Sequence, residues 1–442
     1  MNLENRLILP NKEQVEWADC EIGVLIHYDI QVFNPEYQFR EIWGWQPDAS
    51  TFNPCMLDTD QWIQAAKAAG AKYAVLVAKH SSGFSLWPTE AHEYSIRHSP
   101  WMSGKGDIVR SFMESCRKFD VKPGLYYSCA NNAYFNVDDP GKVRSGNEAE
   151  QKEYNEIIIR QLTELWGNYG EWFEIWFDGG ILPAETGGPD IDPLLKRLQP
   201  NANVFQGRPG TRSLLRWVGN EDGRAPYPCW STTHLGKNGS DGHADRLKTR
   251  IGDPYGPVWA PAESDMPNRD RHLAYQGGWF WREGEDDLVY SAEYLAERYF
   301  ETVGHNTNLL LGMVIDNRGL VPNADAEQLT RFGEMINNIF NESNLLGESS
   351  GRGNELTVDL GSGDRISSIV IMEDISHGER IMEYDITGWD GSVWNVLCSG
   401  ISVGHKRIHS IKSRIPENIS AIKLVCSESK AEPVIRRLAV YK

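Results

Sequence analysis

The sequence has few cysteines and no long apolar run. Its seven cysteines are scattered and odd in number, and no CxxC occurs, so neither a zinc site nor a disulfide framework is indicated. No stretch of about 18 apolar residues is present, and the first residues lack a charged-then-apolar leader. We expect a soluble protein, periplasmic or secreted with its signal peptide absent from this sequence, and a cytoplasmic location stays open.

Positive charge is also scarce. The formal net charge is −18, and Lys and Arg form no run long enough to offset it locally. Because such a surface repels a phosphate backbone, we expect no nucleic-acid partner, and no membrane partner is indicated. The first apolar run, 22–28, is followed by no glycine-rich phosphate turn, which argues against an open nucleotide-binding sheet. The oligomeric state is left open.

Short apolar runs alternate with longer amphipathic segments in the first 180 residues. Four runs predict strands: IGVLIHY, KYAVLVAKH, VKPGLYYS and FEIWFDGG. Helices are predicted between them for DTDQWIQAAKAAG, GDIVRSFMESCRKFD and the segment from about 147 to 169. This alternation favours parallel strands with crossover helices, and the leading architecture is an α/β fold of the TIM barrel, (β/α)8, type.

The second half continues the pattern less regularly. Strands five to eight are predicted for ANVFQG, the region around LRWVGN, GPVWAP and TNLLLGMV. Helices are predicted for SAEYLAERYFETVGHN before the last strand and for NADAEQLTRFGEMINNIFNES after it. A chain of 442 residues is too long for one core. We therefore assign residues 1–345 to a barrel domain.

Residues 346–442 predict a second domain. NELTVDLG, ISSIVIMED, MEYDITGWDG, VWNVLCSG, AIKLVCSE and IRRLAVYK are short strand patterns separated by turn residues, which is typical of a C-terminal β-sandwich. GHKRIHSI after WNVLCSG resembles the galactose-binding-like jelly-roll modules that bind carbohydrate in other chains. We expect this one mainly to pack against the barrel.

Aromatic residues are abundant, with sixteen Trp and seventeen Tyr. Flat rings of this kind stack on the apolar faces of sugars, although any single Trp can instead anchor a loop. Several Trp lie beside Gly, Pro or charged residues: Trp43, Trp45, Trp87, Trp101, Trp230, Trp279 and Trp281.

Asp178 is the strongest candidate for a catalytic group. It ends the fourth predicted strand, behind Trp172, Trp176 and Phe177, and two glycines follow it. Reacting groups of β/α barrels lie at the carboxyl ends of the strands, although an Asp before Gly-Gly can also cap a turn. A reaction at a glycosidic bond needs a second carboxyl group. Glu221 and Glu263, both in predicted loops, are the candidates, and the alternative for each is a surface carboxylate.

Taken together, these motifs resemble a known family. EIGVLIHYDIQVF, AKHSSGFSLWPT, KPGLYYS, EIWFDGG, RWVGNEDG, PAESD and NLLLGMV occur in the order of the α-L-fucosidases of glycoside hydrolase family 29, especially the branch acting on 1,3- and 1,4-linked fucose. The resemblance covers about residues 15 to 345. It implies a glycan substrate and no metal or organic cofactor.

The resemblance also implies roles for particular residues. Asp178 would be the nucleophile and Glu221 the acid/base, with Glu263 as second choice. Substrate-binding side chains would be His27, Trp43, His80, Tyr127, Trp176, Trp230 and Trp279. Tyr126, next to Tyr127, points the opposite way on a strand.

The sequence departs from the family pattern at two places. The second-strand motif usually reads His-His-Asp-Gly-Phe, whereas here Ser81 and Ser82 follow His80. The first-strand motif usually continues with Trp or Phe and then Gly, whereas here Tyr28 and Asp29 follow His27. The smaller Ser81 would leave room for a glycone such as L-galactose.

The resemblance implies a retaining double displacement that releases terminal α-L-fucose. Two other interpretations remain: the same fold and mechanism with a shifted glycone, an α-L-galactoside or other galactoside, and a non-catalytic sugar-binding protein. A third hypothesis makes His27, His80 and Asp178 a metal cluster.

Overall fold

Eight parallel strands close into a barrel. The structure is a computed structural model and describes residues 7–37, 45–234, 250–360, 365–411 and 419–442. The barrel strands are β1 Ile22–His27, β2 Tyr73–Lys79, β3 Lys122–Tyr127, β4 Glu174–Trp176, β5 Asn203–Phe205, β6 Leu214–Trp217, β7 Ala262–Met266 and β8 Asn308–Val314. Each strand pairs with its neighbours in the sequence, and β8 closes the barrel on β1. The predicted TIM barrel is confirmed.

Helices lie between consecutive strands from β1 to β5 and on either side of β8. They are α1 Lys12–Ala18, α2 Thr59–Ala68, α3 Ile108–Phe119, α4 Glu148–Gly167, α5 Asp192–Leu198, α6 Ala292–Thr302 and α7 Asn323–Ile339. The side chains of Asp58, Asp107 and Asn147 accept hydrogen bonds from the first backbone N–H groups of α2, α3 and α4. Within the described ranges, every helix is too short or too polar to cross a bilayer.

The prediction for the seventh strand is wrong. Val258–Trp259, within GPVWAP, pairs with Thr232–Thr233 in a two-stranded antiparallel ribbon outside the barrel. The barrel strand is the following segment, Ala262–Met266, which pairs with β6 and β8. Its sequence, AESDM, carries carboxyl groups at alternate positions that face the barrel interior, so it lacks the apolar composition expected of a buried strand. Glu263 therefore lies in a strand and not in a loop.

The C-terminal strands form two antiparallel four-stranded sheets. They are β9 Leu345–Arg352, β10 Glu355–Asp359, β11 Ser368–Glu373, β12 Ile381–Trp389, β13 Trp394–Gly400, β14 Arg407–Ser410, β15 Ala421–Ser429 and β16 Val434–Tyr441. One sheet has the order β9-β16-β11-β14 and the other β10-β15-β12-β13. Apolar side chains from both sheets, such as Ile371 and Ile386, form a core of their own. This arrangement confirms the predicted β-sandwich.

The sandwich packs against the barrel through buried polar contacts. The Glu379 carboxylate accepts hydrogen bonds from the backbone N–H and hydroxyl of Ser231 and from the Asn306 amide. The imidazole of His405 lies 2.8 Å from the Asp19 carboxylate. These contacts agree with the expected packing role of the second domain.

Candidate active site

A cavity of about 300 Å³ opens at the carboxyl end of the barrel strands. Both carboxyl groups expected from the sequence, Asp178 and Glu221, line it. The other lining residues are Leu25, His27, His80, Tyr126, Trp176, Asp265, Gln276, Gly277, Trp279 and Phe280. Carboxyl, imidazole and aromatic groups in one cavity are suited to binding and cleaving a sugar.

Asp178 reaches this cavity because of its place on β4. Side chains on a strand alternate between its two faces, so Glu174, Trp176 and Asp178 follow one another on the inward face, with Asp178 at the mouth. Gly179 and Gly180 have φ values of 69° and 78°, a left-handed conformation that lets the chain turn directly after the carboxylate. The Tyr126 hydroxyl donates a hydrogen bond of 2.7 Å to Asp178 Oδ2 and so fixes the carboxylate.

Glu221 lies at the mouth, in the loop that follows β6. Its side chain is 41% exposed, and the guanidinium of Arg271 lies 3.8 Å from Oε2. Arg271 donates a closer hydrogen bond, 2.7 Å, to Asp222 Oδ1. The indole N–H of Trp279 also donates to Glu221 Oε2, at 3.3 Å. Glu221 is therefore oriented into the cavity and remains accessible to water.

His27 and His80 form one wall with aromatic neighbours. His27 ends β1, and its ring centroid lies 5.8 Å from that of His80 and 4.7 Å from that of Trp279. Burial lowers the pKa of His27 to about 3, so its imidazole is neutral at physiological pH. The ring of His80 stacks on Tyr126, and the ring of Tyr126 stacks on Trp176. A neutral imidazole can donate to one sugar hydroxyl and accept from another.

Glu263, the second candidate for the acid/base, is not among the residues that line the cavity. It is fully buried inside the barrel and accepts hydrogen bonds from the Tyr73 hydroxyl at 2.6 Å and the Trp176 indole at 2.8 Å. Glu174 lies beside it and accepts a hydrogen bond of 3.2 Å from the Trp17 indole. Burial raises the pKa of Glu263, and burial together with Glu263 raises that of Glu174 well above the ordinary value. The geometry therefore favours Glu221 over Glu263 at the cavity.

Asp265 is a third carboxyl group in the cavity, which the sequence analysis missed. It lies two residues beyond Glu263 on the same face of β7, and its Oδ1 accepts a hydrogen bond of 2.6 Å from the Trp217 indole. Burial first, and then the nearby Glu221, raise its pKa well above the ordinary value. The sequence does contain a signal for Asp265. Residues two apart on a strand lie on the same face, so if this segment is a strand, Asp265 faces the same side as Glu263.

Two residues expected to bind substrate lie elsewhere. Tyr127 points to the outer side of β3, where its hydroxyl donates to Gln161 Oε1 at 2.6 Å, and the cavity position belongs to Tyr126. Trp230 is buried outside the cavity near the sandwich, with Lys430 Nζ 5.5 Å from its ring centroid. Both predictions are therefore wrong in position. Trp43 lies outside the described residues.

Ser81 and the proposed metal cluster also fail to match the geometry. The Ser81 side chain is buried and does not line the cavity, so the room expected there for a larger glycone is not provided by this residue. Among the residues that the structure describes, no three His, Cys, Asp or Glu side chains are spaced to hold a metal ion. His27, His80 and Asp178 consequently do not form the metal cluster considered above.

A family model, a curated relative and a solved structure all match this chain to α-L-fucosidases. The family model "Alpha-L-fucosidase" matches residues 10–192. Alpha-L-fucosidase 1 of Arabidopsis thaliana is 30% identical, with 98% of this chain and 88% of that protein aligned. A candidate α-L-fucosidase of Bacteroides thetaiotaomicron, known from a crystal structure, is 36% identical with a TM-score of 0.90, covering 99% of this chain and 100% of the other.

A relative has also been solved with a sugar bound. The Ruminococcus gnavus GH29 fucosidase in complex with fucose is 25% identical with a TM-score of 0.79, covering 100% of this chain and 97% of the other. The full-length relatives, the closed barrel and the paired carboxyl groups agree with one another. The chain therefore belongs to the α-L-fucosidase family, glycoside hydrolase family 29, and is a glycoside hydrolase.

Proposed function

We propose that this protein is a retaining exo-α-L-fucosidase that releases terminal, 1,3- or 1,4-linked fucose from glycans. The observation that carries the proposal is that Asp178 and Glu221 line one aromatic cavity while Glu263 is buried beneath it. Retention requires two carboxyl groups on opposite sides of the scissile bond, one as nucleophile and one as acid/base. The fucose complex of the related GH29 enzyme supports the choice of sugar.

Asp178 is the group we assign as nucleophile. In the first step one of its carboxylate oxygens bonds to the anomeric carbon while the bond from that carbon to the leaving oxygen breaks. The Tyr126 hydroxyl, 2.7 Å from Oδ2, holds the carboxylate so that it need not reorient. The product of this step is a fucosyl ester of Asp178.

Glu221 is the group we assign as acid/base. It gives its proton to the leaving oxygen in the first step and takes a proton from water in the second, when the water oxygen displaces Asp178 from the anomeric carbon. Its exposed position at the mouth allows both the aglycone and the water to approach. The closer contact of Arg271 is with Asp222, which leaves the Glu221 carboxyl group facing the cavity.

The cavity walls supply the expected sugar contacts. His27, whose imidazole is neutral, and His80 face the cavity, and Trp176 and Trp279 present flat aromatic surfaces. Leu25 and Trp176 close the floor from the barrel interior, which fits a terminal sugar and not an internal one. The aglycone then extends past Glu221 and Arg271, and we expect contacts there to determine which linkage is cleaved.

Azide rescue tests the two assignments separately. On an aryl α-L-fucoside with a good leaving group, azide should restore the activity of Glu221→Ala. The product should be the α-fucosyl azide, because azide attacks the fucosyl ester. Azide should also restore the activity of Asp178→Ala. The product should then be the β-fucosyl azide, because azide attacks the substrate directly. Glu263→Ala is the matched control and should show no rescue. Rescue of Glu263→Ala alone would transfer the acid/base role to that residue.

Stereochemistry and linkage need two further measurements. Proton NMR of wild-type hydrolysis should show α-L-fucose as the first anomer, and β-L-fucose first would contradict retention. Aryl α-L-galactoside and β-D-galactoside should be cleaved more slowly than the α-L-fucoside. Fucose should be released faster from 1,3- and 1,4-linked oligosaccharides than from 1,2-linked ones, and the opposite order would overturn the proposed linkage.

A further inference from the structure

A buried hydrogen bond joins the two places at which the sequence departs from the family pattern. The Ser82 hydroxyl donates to Asp29 Oδ1 at 2.8 Å, although the two residues are 53 positions apart. Both side chains are almost completely shielded from solvent. Asp29 lies two residues beyond His27 and Ser82 two residues beyond His80, so the bond connects the chain directly after two cavity histidines.

The neighbouring groups determine the direction of this bond. The backbone N–H of Phe84 donates to Ser82 Oγ at 3.1 Å, so the serine oxygen accepts there and its own proton goes to Asp29. Gln31 Nε2 donates to the other carboxylate oxygen, Oδ2, at 2.8 Å. The Asp29 carboxyl group thus receives donors on both oxygens, which is the pattern of an acceptor carboxylate held in place.

The bond ties together two segments that carry cavity side chains. Strands β1 and β2 are neighbours in the barrel, and Asp29 begins the 3₁₀ turn Ile30–Phe33 that follows β1. The hydrogen-bond contact of His27 within the described residues is a long one, 3.4 Å between Nδ1 and the Leu25 carbonyl oxygen. The position of its ring relative to His80 therefore depends on packing and on the backbone of the two strand ends.

We propose that Asp29 and Ser82 are a positioning pair that sets the spacing of His27 and His80 and so the fit of the sugar. In the family pattern Asp stands at the position of Ser82 and Gly at the position of Asp29, whereas here the carboxylate follows the first strand and a hydroxyl follows the second. This inference rests on the proposed function in that the sugar it positions is the fucosyl group.

An exchange of the two side chains tests the proposal. Ser82→Ala should lower kcat/KM for an aryl α-L-fucoside about 10- to 100-fold, the range expected when reacting groups are displaced by up to about 1 Å. L-Fucose should inhibit this variant more weakly by a similar factor. Ser82→Asp should lower kcat/KM further than Ser82→Ala, because it buries two carboxyl groups side by side. The double variant Asp29→Ser/Ser82→Asp should have a kcat/KM at least about tenfold higher than that of Ser82→Asp alone.

Ser115→Ala is a matched control distant from the cavity. The Ser115 hydroxyl, also buried, donates to Asp60 Oδ1 at 2.6 Å between α2 and α3. Its removal should lower the melting temperature about as much as Ser82→Ala and leave kcat/KM and fucose inhibition unchanged. Equal losses of activity in the two alanine variants, or an exchange variant no better than Ser82→Asp, would overturn the positioning role.

The proposed function and the pair can fail separately. The wild-type rate on the aryl α-L-fucoside tests the function by itself. The ratios among variants are measured on whichever aryl glycoside the wild type hydrolyses fastest, so they test the pair even if that sugar is not fucose. Recovery by the exchange variant on that substrate supports the pair, and lack of recovery contradicts it.

Discussion

The barrel contains two pairs of carboxyl groups at different depths. Glu174 and Glu263 lie in its interior, where the Trp17, Tyr73 and Trp176 side chains donate to them. Asp178 and Glu221 lie in the cavity above, where Tyr126 and Trp279 donate to them. Each pair therefore has aromatic hydrogen-bond donors, and only the upper pair has access to a substrate.

One strand carries a member of both pairs. Glu174 lies on β4 and Asp178 lies two residues beyond its end on the same inward side, four residues away, which corresponds to about 13 Å of extended chain. At the lower position burial raises the pKa and the carboxyl group is sealed from ligands. At the upper position the chain opens into a loop and the carboxylate meets the cavity. Depth along the chain, and not hydrogen bonding, separates the structural acid Glu174 from Asp178, which we propose as the nucleophile.

The largest difference in activity is expected between the variants in which an isosteric amide replaces the carboxyl group of Asp178 or of Glu174. Asp178→Asn should lower kcat on an aryl α-L-fucoside by about 10⁴-fold or more, because the amide cannot form the glycosyl ester. Glu174→Gln should stay within about threefold of wild type, since the amide reproduces the protonated side chain beside Glu263. Steady-state kinetics with both variants checks this. A large loss in Glu174→Gln would place the lower pair in the reaction.

A tyrosine donates to each pair, which allows a second comparison. Tyr126→Phe removes the donor to Asp178, a hydrogen bond to a charged group worth about 1.5–3 kcal/mol, so kcat/KM should fall about 10- to 100-fold. Tyr73→Phe removes the donor to buried Glu263 and should cost about 1–3 kcal/mol of unfolding free energy instead. Chemical denaturation and kinetics on both variants separate the two effects. Equal activity losses would show that the pairs are not independent.

The buried pair should also make stability depend on pH. Its folded-state pKa values are raised above the ordinary 4.5, so the folded state binds more protons than the unfolded state once the pH exceeds that value. The free energy of unfolding should therefore fall as pH rises from about 4.5 to about 7, by at most about 1.4 kcal/mol per unit for each proton. Glu263→Gln should flatten this dependence in denaturation curves. An unchanged slope would mean that other groups, such as Asp265, produce it.

The sequence predicts most of this fold and part of the site. Five of the seven helices named above, seven of the eight barrel strands and the placement of Asp178 follow from periodicity, caps and glycines, whereas the short helices α1 and α5 were not predicted. The seventh strand was misplaced because Glu263 and Asp265 give it a polar composition, and apolar GPVWAP stands directly before it. The sequence does not distinguish Tyr127 from Tyr126, because both faces of a barrel strand are buried and composition does not show which face points inward.

Gly312→Ala is expected to disturb only the upper pair, and by the smallest amount. Gly312 lies on β8, and a Cβ atom there would come within 2.8 Å of Trp279 Cζ3 and 2.9 Å of Pro267 Cα. The indole must shift, which weakens its 3.3 Å hydrogen bond to Glu221, so kcat/KM should fall roughly 3- to 10-fold. Gly124→Ala, which crowds Val75 inside the barrel, is the control and should change stability without this loss. If the indole transmits the effect, Gly312→Ala will lower kcat/KM no further in a Trp279→Phe background, and an additive loss there would show that the strand itself has moved.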